Sequence, residues 1–268
     1  MLTDPSGQFP LKNRIAVVTG ATAGIGAAIV RDFVARGAYC VINGRRADKL
    51  QELVKECGVG NVAAVVGDCA DDSVVARMMD VAKYALGPQD HEACLVVANA
   101  GRGLAGSVIT SDASQWEEMV RTNIIAAAKL IREAGKRLLA EVEGKSVEQA
   151  LARPRDIVVL GSTVGRHISP FSSMYGSTKF AANSLAEAAR RELGPKGIRV
   201  TLVEPGFVES EFQGVAGYDP KWFAEVKAKI GPVLQPEDIA RMIRLIVTQP
   251  SHVHASDILI RPTRQEYP

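Results

Sequence analysis

Ile15-Ala16-Val17-Val18-Thr19-Gly20-Ala21-Thr22-Ala23-Gly24-Ile25-Gly26-Ala27-Ala28-Ile29-Val30 is the stretch whose reading decides the fold. An aliphatic run rich in valine enters a turn with glycine at 20, 24 and 26, and an Ala/Ile/Val run leaves it with helical character. A glycine pattern by itself is weak; strand, tight turn and helix in direct succession give it weight. Glycine admits positive φ and lets the backbone come close to a ligand. The helix that follows presents unpaired N–H groups and a partial positive charge, which suits a pyrophosphate. A purely structural βα turn would use the same glycines, and the rest of the chain decides between the two.

Working outward, β-rich runs at 14–18, 39–43, 62–66, 94–98, 156–161, 199–203 and 257–260 alternate with helix-patterned segments at 24–36, 47–56, 71–85, 112–141, 173–193 and 236–247. This alternation predicts an α/β chain, a single doubly wound Rossmann-type domain over 1–268 with a seven-stranded parallel sheet flanked by helices. Asp112 can cap its helix, Gly37 stands where a helix should end, and Pro236, Glu237 and Asp238 suit a first turn. The segment 143–155 is charged and poorly periodic, which fits an exposed connection or an additional helical turn.

The composition agrees with a large aliphatic core, since 47% of residues are hydrophobic and only 5% aromatic. A net charge of +2 without a long basic run excludes an electrostatic case for nucleic acid. No apolar run reaches the length of a membrane span, and the leader lacks the pattern of an export signal. Cys40, Cys57, Cys69 and Cys94 form no CxxC pair and read as thiols of a reducing compartment. His252 and His254 have no third ligand nearby, so no metal is expected. The expectation is a cytoplasmic protein with no membrane partner.

The second strand runs out at Val41-Ile42-Asn43-Gly44-Arg45-Arg46. An acid at this point would bind a ribose 2′-hydroxyl, whereas guanidinium accommodates a 2′-phosphate. No acid is present, so NADP is the expected cofactor, with Arg45 the favoured contact. Either arginine could instead simply solvate the start of the next helix. Downstream, Tyr175 and Lys179 are four residues apart and share one helix face. A phenol with a pKa of about 10 is a poor acid or base at neutral pH, and an adjacent ammonium would lower it. Ser162, at the end of a strand, can hydrogen-bond a carbonyl oxygen that becomes an alkoxide.

Thr19-Gly20-x-x-x-Gly24-x-Gly26, Asn99-Ala100-Gly101, Ser162, Tyr175-x-x-x-Lys179 and Pro205-Gly206, in this order and spacing, resemble the short-chain dehydrogenase/reductase superfamily over nearly the whole chain. The resemblance implies hydride transfer between NADP and a small-molecule carbonyl or alcohol substrate. It makes Tyr175 the general acid/base, Lys179 the residue that lowers its pKa and binds the nicotinamide ribose, Ser162 the carbonyl-polarising hydroxyl, and Asn123 the holder of a proton-relay water. Cofactor contacts implied are Gly20, Thr22, Gly24, Ile25 and Gly26 in the turn and Arg45 and Arg46 after the second strand. Asp68 and Cys69 would lie near the adenine, Asn99, Ala100 and Gly101 at the sheet centre, and Pro205, Gly206, Val208 and Ser210 beside the nicotinamide. Ala98, Ser210 and Ala23 depart from the residues common in the family, Asn, Thr and a basic side chain, without removing a catalytic group.

In such proteins the stretch 207–233 resembles a substrate lid, here carrying Phe212, Tyr218, Trp222 and Phe223, with His167, Phe171 and Met174 as the other wall. An apolar pocket for a medium-sized ketone or secondary alcohol follows, unless these aromatics only pack the lid to the body. The ending Asp257-Ile258-Leu259-Ile260-Arg261-Pro262-Thr263 is similar to the 3-hydroxy acid and serine dehydrogenase branch. The resemblance also implies a homodimer or homotetramer. A non-redox NADP-binding sensor, or an epimerase or lyase using the same tyrosine, is the alternative on this fold.

Overall fold

The computed structural model describes residues 10–87 and 91–267. Most of the polar leader, on which the expectation of no export signal rests, lies outside them. The first half of the chain contains β1 (Ile15–Val18), α1 (Gly24–Ala35), β2 (Tyr39–Gly44), α2 (Ala47–Cys57), β3 (Val62–Val66), α3 (Asp72–Tyr84) and β4 (Leu95–Ala98). The second contains α4 (Trp116–Val120), α5 (Ala126–Val142), α6 (Val147–Leu151), β5 (Asp156–Leu160), α7 (Ser173–Leu193), β6 (Arg199–Pro205), α8 (Phe212–Val215), α9 (Pro220–Ile230), α10 (Pro236–Val247) and β7 (Asp257–Ile260). The seven strands form one sheet in the order β3-β2-β1-β4-β5-β6-β7, every pairing parallel. The chain is therefore a single α/β domain of the doubly wound type. Strand order reverses between β1 and β4, which opens a crevice at their carboxyl ends.

The two-residue period of a strand sorts the core. Ile15, Val17, Val96, Ile157 and Val159 pack with Met78 and Met79 of α3, Leu130 and Leu138 of α5, and Ala186 and Leu193 of α7. Ala16, Val18, Leu95, Val97 and Val158 pack with Ile29 and Phe33 of α1, Leu50 of α2, and Ile239 and Ile243 of α10. Both faces being covered, the central strands β1 and β4 are apolar throughout rather than alternating. Each fully buried side chain such as Phe33 or Leu130 contributes about 1.5–3 kcal/mol.

The expected caps are present: Asp112 Oδ1 accepts from Ser114 N at 3.0 Å, and Gly37 ends α1 at φ 89°. Asp238 sits in a capping box with Gln235, whose N–H it accepts at 2.8 Å. The segment 143–155 holds the additional helical turn α6, started by a Ser146/Gln149 capping box. One expectation needs correction. The single helix expected over 112–141 is instead a 3₁₀ turn (Ala113–Gln115), α4, a π turn (Arg121–Ile125) and α5. A π turn inserts a residue without breaking the helical axis, so apolar periodicity does not reveal it. Within it Asn123 is buried, and its amide bonds to two neighbouring segments. Its Oδ1 accepts from Arg102 N at 2.8 Å, and its Nδ2 donates to Arg102 O and Thr178 Oγ1, both at 2.9 Å.

Candidate active site

A cleft of about 710 Å³ runs along the carboxyl edge of the sheet. The ends of β1 to β6 deliver Gly20, Arg45, Asp68, Asn99, Ser162 and Gly206 to it in turn. Every residue named above as a cofactor or catalytic candidate lines this cleft except Asn123, which lies beneath the 99–102 loop. Of the expected pocket wall, Phe171 lines the cleft, whereas His167 turns to Tyr267 and Met174 packs beside Tyr175.

The glycine turn is shaped by contact as much as by dihedral freedom. Gly20 has φ 66°, and a Cβ there would sit 2.8 Å from Ala100 Cα. At Gly26 a Cβ would sit 2.3 Å from the Gly20 carbonyl oxygen and 2.6 Å from Asn99 Nδ2. Asn99 ties the turn to the sheet by donating to Thr19 O at 2.9 Å and Gly20 O at 3.2 Å. Thr19 Oγ1 accepts from both Asn99 N and Ala100 N at 3.1 Å. Helix α1 begins after Ala23 with no side-chain cap and no acid in its first turn. Its first N–H groups thus face the cleft without an internal acceptor, which fits a pyrophosphate.

At the end of the cleft beside β2 and β3 stand two guanidiniums. Arg45 pairs with Glu118 at 2.8 Å. Arg46 donates to Thr22 Oγ1 at 2.9 Å and pairs with Glu211 at 3.1 Å. Asp68 accepts from Ala70 N at 2.8 Å and pairs with Arg121 at 2.9 Å. Its burial works against ionisation, but these contacts hold its carboxyl below the usual range. Cys69 beside it is pushed up to about 11 by burial.

At the other end, α7 carries Tyr175 and Lys179 on the face that also buries Ala182, Ala186, Ala189 and Leu193. Lys179 Nζ donates to Leu160 O at 2.7 Å and lies 5.9 Å from the centre of the Tyr175 ring. Ser162 starts a 3₁₀ turn at the end of β5, its hydroxyl accepting from Val164 N at 3.4 Å. Burial pushes the Tyr175 phenol up, against a hydrogen bond with Ser162 that pulls it down. Burial also brings the Lys179 ammonium down to about 8. Desolvation thus outweighs the lowering of the phenol that the Tyr–Lys spacing led us to expect.

The segment from Phe207 to Phe223 packs on itself and on the site. Phe212 meets Tyr175 with ring centres 5.4 Å apart, Tyr218 stacks on Trp222 at 5.4 Å, and Phe207 lies 6.2 Å from the Trp222 ring and 6.3 Å from that of Phe223. Several participants were missed in the sequence. Arg102 and Glu118 act through contacts between distant segments that no spacing marks. Gln265 accepts from Phe207 N at 2.9 Å, and Glu266 and Tyr267 line the cleft. Nothing in the sequence of the tail signals this.

A family model described as short chain dehydrogenase matches residues 14–220. An uncharacterized oxidoreductase of Staphylococcus aureus is 29% identical over 252 residues, spanning 94% of this chain and 98% of the relative. Among solved structures, the closed form of a serine dehydrogenase complexed with NADP+ superposes with a TM-score of 0.81 at 28% identity, covering 94% of this chain and 96% of the other. The serine dehydrogenase of Escherichia coli gives 0.73 at 25% identity, covering 94% and 100%. With a seven-stranded parallel sheet, a family match across most of its length and oxidoreductase relatives that span nearly all of it, this chain belongs to the short chain dehydrogenase family of oxidoreductases.

Proposed function

We propose that the protein is an NADP-dependent oxidoreductase acting on a ketone/secondary alcohol pair, with Tyr175 as general acid/base. One observation carries the proposal. The Ser162 hydroxyl, the Tyr175 phenol and the Lys179 ammonium line the same cleft as the uncapped α1 N-terminus and two guanidiniums. Gly24, Ile25 and Gly26 would hold the pyrophosphate, Arg45 and Arg46 a 2′-phosphate, and Lys179 the nicotinamide ribose. Bound NADPH would supply the hydride.

Ser162 Oγ donates to the substrate oxygen and orients it. Tyr175 Oη delivers its proton to that oxygen as it gains charge, and in the oxidative direction takes it back. Lys179 Nζ, held by Leu160 O, stabilises the phenolate left behind. Because burial raises the phenol, Tyr175 is kept protonated, which favours it as the acid of a reduction. Asn123 holds the 99–102 loop and α7 in register. A relay water could still donate to Asn123 Oδ1, which accepts only from Arg102 N.

Phe171, Phe212, Tyr218 and Trp222 line the substrate end, supporting a mostly apolar substrate. A second possibility, a hydroxy acid, is favoured by Lys229, a cation on the lid side of the cleft, and by the likeness to an NADP+-bound serine dehydrogenase. We further propose a cytoplasmic homodimer or homotetramer, in which Ile125 and Phe180, 40% and 42% exposed, would be covered by association.

NADPH absorbance loss at pH 7 against ketones, 3-oxo acids and aldehydes tests the proposal. Replacing Tyr175 by Phe should lower kcat by about 10²–10⁴ while NADPH still binds. Equal turnover with NADH would overturn the cofactor assignment. NADPH binding without turnover across the panel would count against a redox role.

A further inference from the structure

We propose that Glu211, on the lid side of the cleft, is a cofactor-selectivity residue that competes with a 2′-phosphate for Arg46. The inference rests on the NADP assignment above and extends it to a residue outside the β2 end.

Arg46 is held from two sides. Thr22 Oγ1 accepts from its Nη2 at 2.9 Å and from its Nε at 3.3 Å, which fixes the plane of the guanidinium against the glycine turn. Thr22 is itself held in place by Gly44, where a Cβ would fall 2.4 Å from Thr22 Cγ2. On the opposite side Glu211 Oε2 accepts from Nη1 at 3.1 Å. Glu211 immediately precedes α8 without capping it, so the pair spans from the end of β2 to the lid across the mouth of the cleft.

Both partners are half-exposed, Arg46 at 47% and Glu211 at 61%. An ion pair in that setting is weak and exchanges readily. A phosphate dianion offers the same guanidinium a bidentate, doubly charged partner and displaces the carboxylate. The displaced carboxylate stays nearby as a like charge that opposes the phosphate. Arg45 is in a related position, paired with Glu118 from α4, but that contact does not reach the lid. Glu211 therefore sets how strongly NADP is preferred over NAD, and a 2′-phosphate releases one tether of the lid.

The test is calorimetric titration of NADP+ and NAD+ into the full chain, wild type and with Glu211→Gln, Arg46→Gln and both. Glu211→Gln should tighten NADP+ by up to about fivefold and leave NAD+ unchanged. In the Arg46→Gln background the same change should have little effect on either. Preference for NADP+ that depends on Arg46 but is the same with and without Glu211 would overturn the inference and leave the NADP assignment standing. Wild-type protein that binds the two cofactors equally, with Arg46→Gln altering neither, would overturn the NADP assignment and the inference with it.

Discussion

The two edges of the sheet use the same residue types to opposite ends. At the amino edge Arg14, Asp156 and Arg199 form a triad in which no side chain is more than 8% exposed. Asp156 takes Arg14 at 2.6 Å and Arg199 at 2.7 Å, and other donors of the two guanidiniums go to the carbonyls of Cys94, Val247, Gln249, Pro250 and Val253, while the buried Arg14 Nε has no partner. At the carboxyl edge Arg45 and Arg46 have one carboxylate each and stand open to solvent. Guanidiniums with several buried partners hold the β5, β6 and α10 ends together. Guanidiniums held by single exposed carboxylates are available to a ligand. What separates structure from site is therefore the depth and number of partners, not the presence of arginine.

The largest expected effect lies at the closed edge. Asp156→Ala leaves two buried guanidiniums unpaired and should cost about 3–5 kcal/mol in urea denaturation. Since the triad is at the far end of the strands, the NADPH affinity of the protein that remains folded should be unchanged. A loss under about 1 kcal/mol, or a loss of cofactor binding without a loss of stability, would erase the contrast between the edges.

How far each edge was legible differs as well. The strands and most helices follow from apolar periodicity, because a sheet covered on both faces needs continuous aliphatic runs such as Ile15-Ala16-Val17-Val18. The cleft residues at strand ends were legible because a parallel sheet brings all its carboxyl ends to one side. The amino-edge triad was not, since Arg14, Asp156 and Arg199 look like ordinary polar flanks of strands until β1, β5 and β6 are aligned. The π turn at Asn123 and the contacts of Glu118, Glu211 and Gln265 were hidden for the same reason. Each depends on a partner far along the chain, from 16 residues for Arg102–Glu118 to 165 for Arg46–Glu211.

A smaller effect tests whether the open edge is shaped by packing. At Gly26 a Cβ would collide with the Gly20 carbonyl and Asn99 amide, both part of the rigid turn. Gly26→Ala should cost about 1–3 kcal/mol through overpacking, and it should weaken NADPH binding by displacing the N–H groups of α1. Gly214→Ala, where a Cβ would meet nothing within 4 Å, is the control and should leave both unchanged. Equal tolerance at both positions would mean that the turn adapts and that its glycines serve only conformational freedom.

The smallest effect separates a buried charge kept for chemistry from the buried charges of the triad. Lys179 is 5% exposed, and its single hydrogen bond goes to a carbonyl rather than a carboxylate. Burial lowers its ammonium from 10.5 to about 8. Below pH 8 the group is charged both folded and unfolded, and the full cost of burying that charge is present. As pH rises through 8 the folded chain releases the proton while the unfolded chain keeps it until about 10.5, so stability rises. Between pH 8 and 9 the cofactor-free protein should gain about 1 kcal/mol relative to Lys179→Met, whose own slope lacks this contribution. Turnover should move the opposite way over the same interval, because the ammonium that steadies the Tyr175 phenolate is being lost. Stability and activity that fall together would mean that Lys179 is paired like the arginines of the closed edge, and the distinction between the two edges would not extend to it.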